Sequence, residues 1–209
     1  MAHSSQLNKK VLLYFVKYPE PGRVKTRLAR VLGNEEAARN YRELAERNLE
    51  ILRPLEGSDV SIVVAFDPPE AEREIRSWLS DGPIYLPQKG NGLGERLRLA
   101  FERVFDSGAE KGVALGSDTL KLQAEIIERA YRALDDFDLV LGPAKDGGYY
   151  LIGLTRPLPE LFQNIPWSTP AVCESTLAVA HRLDLSYFFL EELEDLDGIE
   201  NCRVKEVIK

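Results

Sequence analysis

Val11-Leu12-Leu13-Tyr14-Phe15-Val16 runs directly into Lys17-Tyr18-Pro19-Glu20-Pro21-Gly22-Arg23-Val24-Lys25-Thr26-Arg27-Leu28. The first part is a continuous apolar run, which predicts a strand buried on both faces inside a sheet covered by helices. The second part breaks that strand. Pro19 and Pro21 stiffen the chain, and Gly22 allows close backbone approach. Lys17, Arg23, Lys25, Arg27 and Arg30 make the segment cationic, with only Glu20 opposing them. Ligands of open α/β sheets bind beyond the carboxyl ends of the strands, so a cationic loop there points to a small anion. Lys25 and Arg27, on either side of Thr26, suit a polyphosphate: Arg offers bidentate contacts and Lys a point charge. Neither GxxxxGK[ST] nor GxGxxG is present, which disfavours a P-loop and a Rossmann dinucleotide site. Taken alone, the loop also reads as a solvated basic turn.

Strand and helix signals alternate from there. Asn34 caps a helix rich in Glu, Ala, Arg and Leu that runs to about Leu52. Val60–Phe66 is a second buried strand, and Pro68-Pro69 opens a helix ending near Leu79. Ile84–Leu86 is a short third strand. The glycine-rich Gly90-Asn91-Gly92-Leu93-Gly94 leads into a helix through Phe105. Gly112–Leu115 is the fourth strand, followed by a helix over about Leu122–Leu134. Leu139–Leu141 is the fifth strand and Tyr149–Leu154 the sixth. This alternation predicts an α/β protein, a three-layer α/β/α sandwich around a mostly parallel mixed sheet. The fifth and sixth strands lie too close in sequence for a helical crossover, which takes about a dozen residues, so the sixth is expected to run antiparallel or sit apart. A helix near Ala171–Leu183 and a strand at Ser186–Leu190 close the core, and the acidic tail Glu191–Asp197 reads as solvated. Residues 1–9 read as a disordered or tag-like lead-in, and 10–209 as one domain.

Composition narrows the partners. The 209 residues carry 27 Lys+Arg against 34 Asp+Glu, a formal net charge of −7. An acidic chain argues against polymeric nucleic acid or an anionic membrane surface. With 44% hydrophobic and 29% charged residues it is globular rather than disordered. The polar N-terminus gives no secretory signal, and no stretch approaches the roughly 20 apolar residues of a membrane span. Cys173 and Cys202 have no ligand-like spacing, which disfavours a disulfide scaffold or zinc site. A cytoplasmic location with reduced thiols is expected.

Two aspartates follow apolar strands on the rim of the basic loop. One lies in Leu115-Gly116-Ser117-Asp118-Thr119, the other in Leu141-Gly142-Pro143-Ala144-Lys145-Asp146-Gly147-Gly148. Carboxylates converging there suit Mg²⁺ or Mn²⁺, which take oxygen ligands and bridge to substrate phosphates. Gly116, Gly147 and Gly148 allow ligand and backbone to approach. Singly, Asp118 also reads as a helix cap and Asp146-Gly147 as a tight turn. Gln88, Gly90 and Gly94 bracket a third rim segment whose amide and backbone groups suit a nucleobase edge or ribose, with a helix N-terminus beyond. Ser168 or Thr169 is expected to cap the last helix. Trp167 reads as core or as a ligand platform, and His181 as structural.

Together these segments resemble the DUF2064-type glycosyltransferase-like family of the GT-A nucleotide-diphospho-sugar transferase superfamily. The likeness rests on Lys17-x-Pro19-x-Pro21-Gly22-x-Val24-Lys25-Thr26-Arg27-Leu28, Gln88-x-Gly90-x-x-Leu93-Gly94-Glu95-Arg96-Leu97, Gly116-Ser117-Asp118, Gly142-Pro143-Ala144-x-Asp146-Gly147-Gly148-Tyr149-Tyr150-Leu151-Ile152-Gly153-Leu154 and Trp167-Ser168-Thr169-x-x-Val172. It extends from Lys10 to about Arg182. It implies a transferase using Mg²⁺ or Mn²⁺ on a nucleotide or sugar nucleotide. Asp118 matches the metal-binding aspartate, Asp146 a second acidic position, and the basic loop the phosphate contacts. Gln88 and Gly94 fall where the base is read. The nucleotide-binding set is thus Lys17, Gly22, Arg23, Lys25, Thr26, Arg27, Gln88, Gly90, Gly94 and Ser117, with Gly147, Gly148, Tyr149 and Trp167 toward an acceptor of unspecified identity. The family commonly has proline two residues after the aspartate, whereas this chain has Leu120.

The leading expectation is metal-dependent glycosyl transfer from a nucleotide-diphospho-sugar, with Asp118, Asp146 and Lys25 as the catalytic set. Lys25 and Arg27 would neutralise charge on the departing nucleoside diphosphate. Asp146 serves the metal or acts as base, not both at once. The alternatives are nucleotidyl transfer from a nucleoside triphosphate to a phosphorylated acceptor with release of pyrophosphate, and a non-catalytic nucleotide-binding protein.

Overall fold

The computed structural model describes residues 7–57, 59–80 and 82–196. In chain order the elements are β1 (Lys10–Lys17), α1 (Thr26–Leu32), α2 (Asn34–Leu52), β2 (Val60–Asp67), α3 (Glu72–Leu79), β3 (Ile84–Pro87), α4 (Leu93–Asp106), β4 (Lys111–Gly116), α5 (Ala124–Ala133), β5 (Leu139–Pro143), β6 (Tyr149–Leu154), α6 (Val172–Arg182) and β7 (Tyr187–Phe189). The strands form one seven-stranded sheet in the order β3-β2-β1-β4-β6-β5-β7. β1, β2, β3 and β4 pair in parallel, and so do β5 and β7. β6 is antiparallel to both β4 and β5. The short link between β5 and β6 forces that reversal, as expected from its length.

The apolar run of β1 is explained by its place between β2 and β4. Leu12, Tyr14 and Val16 enter one hydrophobic layer, Val11 and Leu13 the other. This is the period-two alternation of a strand covered on both faces. On the first face the sheet meets Ile75 and Leu79 of α3, Ile126, Ile127 and Ala130 of α5, and Leu49 and Leu52 of α2. On the second it meets Leu97, Phe101 and Val104 of α4 and Val179 and Ala180 of α6. These are the helix stripes that 3.6-residue spacing places on one side.

Three expectations need correction. The basic loop is not irregular throughout: from Thr26 it becomes α1, because Val24 and Leu28 bury beside Ala37, Tyr41 and Leu44 of α2. Pro69–Ala71 forms a separate 3-10 turn, and α3 starts only at Glu72. The tail is not solvated. Leu193 N–H donates to Pro143 O and Leu193 O accepts from Lys145 N–H, at 3.1 and 3.0 Å. Leu196 is fully buried in the cluster that holds Leu28 and Leu120. Leu190 and Leu196 bury and Leu193 is half-buried, while Glu191 and Glu192 stay exposed between them. Asp197 and Cys202 lie outside the described residues.

Packing is tight where β5 meets β6. A Cβ at Gly142 would stand 2.4 Å from Cζ of Tyr150. Gly142→Ala is therefore expected to lower unfolding stability by about 1–3 kcal/mol, the usual cost of overpacking, as read from urea midpoints. An unchanged midpoint would show that the ring yields freely.

Candidate functional site

Parallel pairing brings the carboxyl ends of β1, β2, β3, β4 and β5 to one edge of the sheet. The loops carrying Lys17–Lys25, Gln88, Asp118 and Asp146 all leave from that edge. The best-defined part is the turn after β4.

Gly116-Ser117-Asp118-Thr119 hangs from α2. Asn48, buried to 1% exposure, donates from Nδ2 to Thr119 O at 2.8 Å and to Ser117 O at 3.2 Å. The Tyr41 hydroxyl shares a 2.8 Å hydrogen bond with Ser117 Oγ and accepts from the Lys17 N–H at 2.8 Å. Ser117 N–H donates to Phe15 O, and Thr119 Oγ1 to Gly116 O. One helix thus ties the end of β1 to the turn after β4. Ser117 holds the turn, with both its hydroxyl and its N–H engaged inside the protein. Asp118 caps no helix, because α5 begins at Ala124.

The tail locks the same turn from the other side. Leu196 N–H donates to Asp118 O at 2.9 Å, and Leu120 N–H donates to Glu194 O at 2.7 Å. A proline at position 120 would lack that N–H. Leu120 is also buried with Val24, Leu28 and Leu196, so the leucine closes a contact between turn, α1 and tail.

Lys25 reaches Asp118. Its backbone is left-handed, with φ 48° and ψ 47°, immediately before α1. Its side chain is only 8% exposed, and its ammonium group pairs with Asp118 Oδ2. Burial alone would raise the Asp118 carboxyl pKa, but the Lys25 charge and hydrogen bond, helped by Lys17, hold it below the usual carboxylate value. Oδ1 is folded over Gly116, 3.1 Å from where a Cβ would stand there. Around this pair Thr26 and Arg27 are exposed on α1, Lys17 is exposed at the end of β1, and Arg23 is exposed and paired with Glu20 at 3.2 Å. Gly22, at φ 81°, makes the turn that carries them.

Asp146 lies in the link from β5 to β6, three residues before the start of β6, and β6 pairs directly with β4. Its Oδ1 accepts the Gly148 N–H at 2.9 Å, the tight turn its Asp-Gly sequence suggests, and its side chain is exposed. Gly147 allows close approach, but to the protein itself. A Cβ there would lie 2.1 Å from Pro170 O, and Cys173 N–H donates to Gly147 O.

In the third rim segment Gln88 and Gly94 are turned inward, while residues 89–93 are exposed. Gln88 is buried and gives Nε2 to Ala65 O and Val16 O, buckling the ends of β1 and β2. Its Oε1 faces Arg96, which pairs with Asp67 at 2.9 Å. Gly90, at φ 111°, has Glu95 Cγ 2.6 Å from a notional Cβ. At Gly94 a Cβ would be 2.3 Å from Trp167 Nε1, so this glycine lets the indole close on α4. Trp167 also meets Tyr149 edge-on, with centroids 6.2 Å apart. Its packing with the second core layer favours the core reading. Burial holds the Tyr149 phenol above its ordinary pKa, where it stays neutral. Thr169 does not cap α6: its Oγ1 donates to Pro166 O and accepts from Ala171 N–H. His181 lies 3.2 Å from the Tyr187 hydroxyl, away from the rim.

Tyr41 and Asn48 escape a motif search, since neither belongs to a catalytic pattern. Their signal is weaker: two polar side chains seven residues apart, on the stripe of α2 that also carries Ala37, Leu44 and Ala45. As for a metal, no group of three or more His, Cys, Asp or Glu gathers among the described residues. A closed structural zinc site is therefore a poor fit. Asp118, a carboxylate 30% exposed and paired with Lys25, is an oxygen donor of the kind that Mg²⁺ or Mn²⁺ takes. Such ions take one or two protein carboxylates and complete their shell with water and substrate phosphate.

Burial raises the Tyr41 phenol to about 12, while Ser117 and the Lys17 N–H partly oppose that rise. A raised pKa stabilises the fold below the unfolded value near 10 and loses that contribution as pH rises through the folded one. Stability is expected to fall by about 3 kcal/mol on this account between pH ~10 and ~12. Tyr41→Phe should remove this part of the alkaline slope and cost about 1–3 kcal/mol at pH 7, because two buried partners lose their bond. Chemical denaturation across pH measures both, and an unaltered slope would refute the assignment.

Comparison with known proteins agrees with this architecture. Residues 52–169 match the family DUF2064, described as an uncharacterized protein conserved in bacteria. No curated protein sequence matches. A crystal structure from Desulfovibrio desulfuricans G20, of a protein provisionally named a nucleotide-diphospho-sugar transferase, is 34% identical. It aligns over 92% of this chain and 84% of its own with a TM-score of 0.85. Two more distant structures share the fold. Glucosyl-3-phosphoglycerate synthase from Mycobacterium tuberculosis, in complex with Mn²⁺, UDP and glucosyl-3-phosphoglycerate, has 13% identity, coverage of 96% and 77%, and a TM-score of 0.58. The inositol-1-phosphate CTP transferase from T. maritima has 14% identity, coverage of 97% and 95%, and a TM-score of 0.60. The chain belongs to the DUF2064 family and has the fold of the nucleotide-diphospho-sugar transferases.

Proposed function

We propose that this chain is a divalent-metal-dependent transferase that moves a sugar from a nucleotide-diphospho-sugar to an acceptor. The observation that carries the reading is the Lys25–Asp118 pair, set on the carboxyl rim beside the exposed cations of the first loop. Asp118, with Asp146 on the neighbouring loop, would hold Mg²⁺ or Mn²⁺. Such an ion acts as a Lewis acid that neutralises a diphosphate leaving group. Lys17, Arg23, Lys25, Thr26 and Arg27 bind the phosphates, and Lys25 and Arg27 offset the charge that grows as the nucleoside diphosphate departs. Asn48 and Tyr41 keep the Asp118 turn rigid, which matters because misplacement by an ångström weakens catalysis.

The contacts of the described rim shape two finer assignments. Gln88 supports the site through the sheet ends it buckles, and only its Oε1 points away from that bond pair. Gly147, Gly148, Tyr149 and Trp167 form the acceptor side, with Gly147 and Trp167 shaping its wall through packing. The mixed membership of the fold supports a second reading, nucleotidyl transfer from a nucleoside triphosphate, since its relatives include both a sugar transferase with UDP and a CTP transferase. A non-catalytic nucleotide-binding role is the third. No helix among the described residues is long and apolar enough to cross a membrane.

A thermal-shift panel of nucleoside triphosphates and nucleotide sugars, with and without Mn²⁺, tests the class. A ligand at a hundredfold its Kd adds about 2.7 kcal/mol to apparent stability. Asp118→Asn should abolish the Mn²⁺-dependent increment, and Arg27→Ala should weaken nucleotide binding about tenfold, as expected for a lost charge-assisted contact. Release of nucleoside diphosphate supports glycosyl transfer, and release of pyrophosphate supports the second reading. Metal-independent shifts in both parent and Asp118→Asn would overturn the metal assignment.

A further inference from the structure

Lys25 is buried more deeply than a phosphate-binding lysine on a loop needs to be. Its side chain is 8% exposed and its backbone is held at φ 48°, a left-handed conformation that non-glycine residues adopt at a cost and that recurs at functional sites. That conformation, followed at once by α1, aims the ammonium group at Asp118 rather than at solvent. The carboxylate it meets is 30% exposed, with Oδ1 beside the bare Gly116 and Oδ2 carrying the lysine. A divalent ion approaching Asp118 therefore comes next to the Lys25 ammonium group, and the two cations repel at contact distance.

Resting on the proposed transferase reading, we propose that Lys25 is a resident counter-cation that excludes metal from Asp118 until a polyphosphate draws the lysine away. The other cations of the loop supply the second half of the exchange. Lys17, Arg23 and Arg27 are exposed and collect a polyanion beside Lys25. A phosphate oxygen then offers the ammonium group a new partner as Asp118 receives the incoming ion. Metal and nucleotide bind as one cooperative unit, and metal alone binds weakly. The coupling is reciprocal by linkage: whatever factor nucleotide adds to metal affinity, metal adds to nucleotide affinity. No bond is made or broken; only the partners of two charged groups change. The arrangement also keeps Asp118 ionised and paired in the resting protein, because an isolated buried carboxylate would otherwise be costly.

The test uses the full chain and Mn²⁺ alone, followed by electron paramagnetic resonance of the free ion. Lys25→Met should bind Mn²⁺ at least about tenfold more tightly than the parent, a difference that corresponds to one removed competitor. Lys25→Arg, which keeps the charge, should stay as weak as the parent. Lys25→Met combined with Asp118→Asn should lose the gain. Equal affinity of parent and Lys25→Met, or a gain that survives Asp118→Asn, would overturn the proposal. If Lys25→Met does not fold by circular dichroism, the parent alone decides. The Lys25 side-chain nitrogen resonance should move as Mg²⁺ saturates the protein, and an unmoved resonance at saturation overturns it. Failure of this test leaves nucleotide binding in the thermal-shift panel intact, whereas failure of the transferase reading would show as no nucleotide shift in the parent.

Discussion

The suspension of the Gly116–Thr119 turn from α2 is the constraint on which the rim depends. Asn48 satisfies two carbonyls of that turn, and Tyr41 joins its serine to the end of β1. Buried peptide groups left without partners are costly, so helix and turn each require the other's position. The tail closes the remaining side through Asp118 O and the Leu120 N–H. A turn held on two sides by backbone bonds can carry a charged side chain at a set height above the sheet. Lys25 meets it there.

The charge distribution follows from this division of labour. Net charge is −7, yet the loop after β1 presents Lys17, Arg23 and Arg27 to solvent while Lys25 turns inward. The exposed cations can attract an anion at range, and the buried one acts only at contact, where the local dielectric is lower. A chain of net negative charge can still present a cationic rim.

Much of the fold was legible in advance. The double-faced apolar run of β1, the reversal forced by the short β5–β6 link and the amphipathic helices are local properties with direct geometric consequences. The site was only partly legible. Asp118 and the basic loop were visible because residue type and position after a strand coincide. Gln88 and Gly94 carried the same kind of signal, but their contacts face the protein: the amide buckles two strand ends, and the glycine makes room for Trp167. A glycine that admits a ligand and one that admits an indole look identical in a sequence. The acidic tail misled for a related reason, since Leu190 and Leu196 at its two ends bury while its acids dominate the composition.

From the sequence alone came the alternating elements, the layer order they impose, the cationic loop after the first strand and the carboxylates past the fourth and fifth. These follow from hydrophobic periodicity and backbone chemistry, which act within a few residues. Only the tertiary structure decided that Lys25 pairs with Asp118, that Tyr41 and Asn48 hold the turn, and that residues 193–196 bind both loops. Each joins residues far apart in the chain. Which polar group satisfies which is settled by the requirement that buried donors, acceptors and charges find partners once the layers have closed, and no local pattern carries that information.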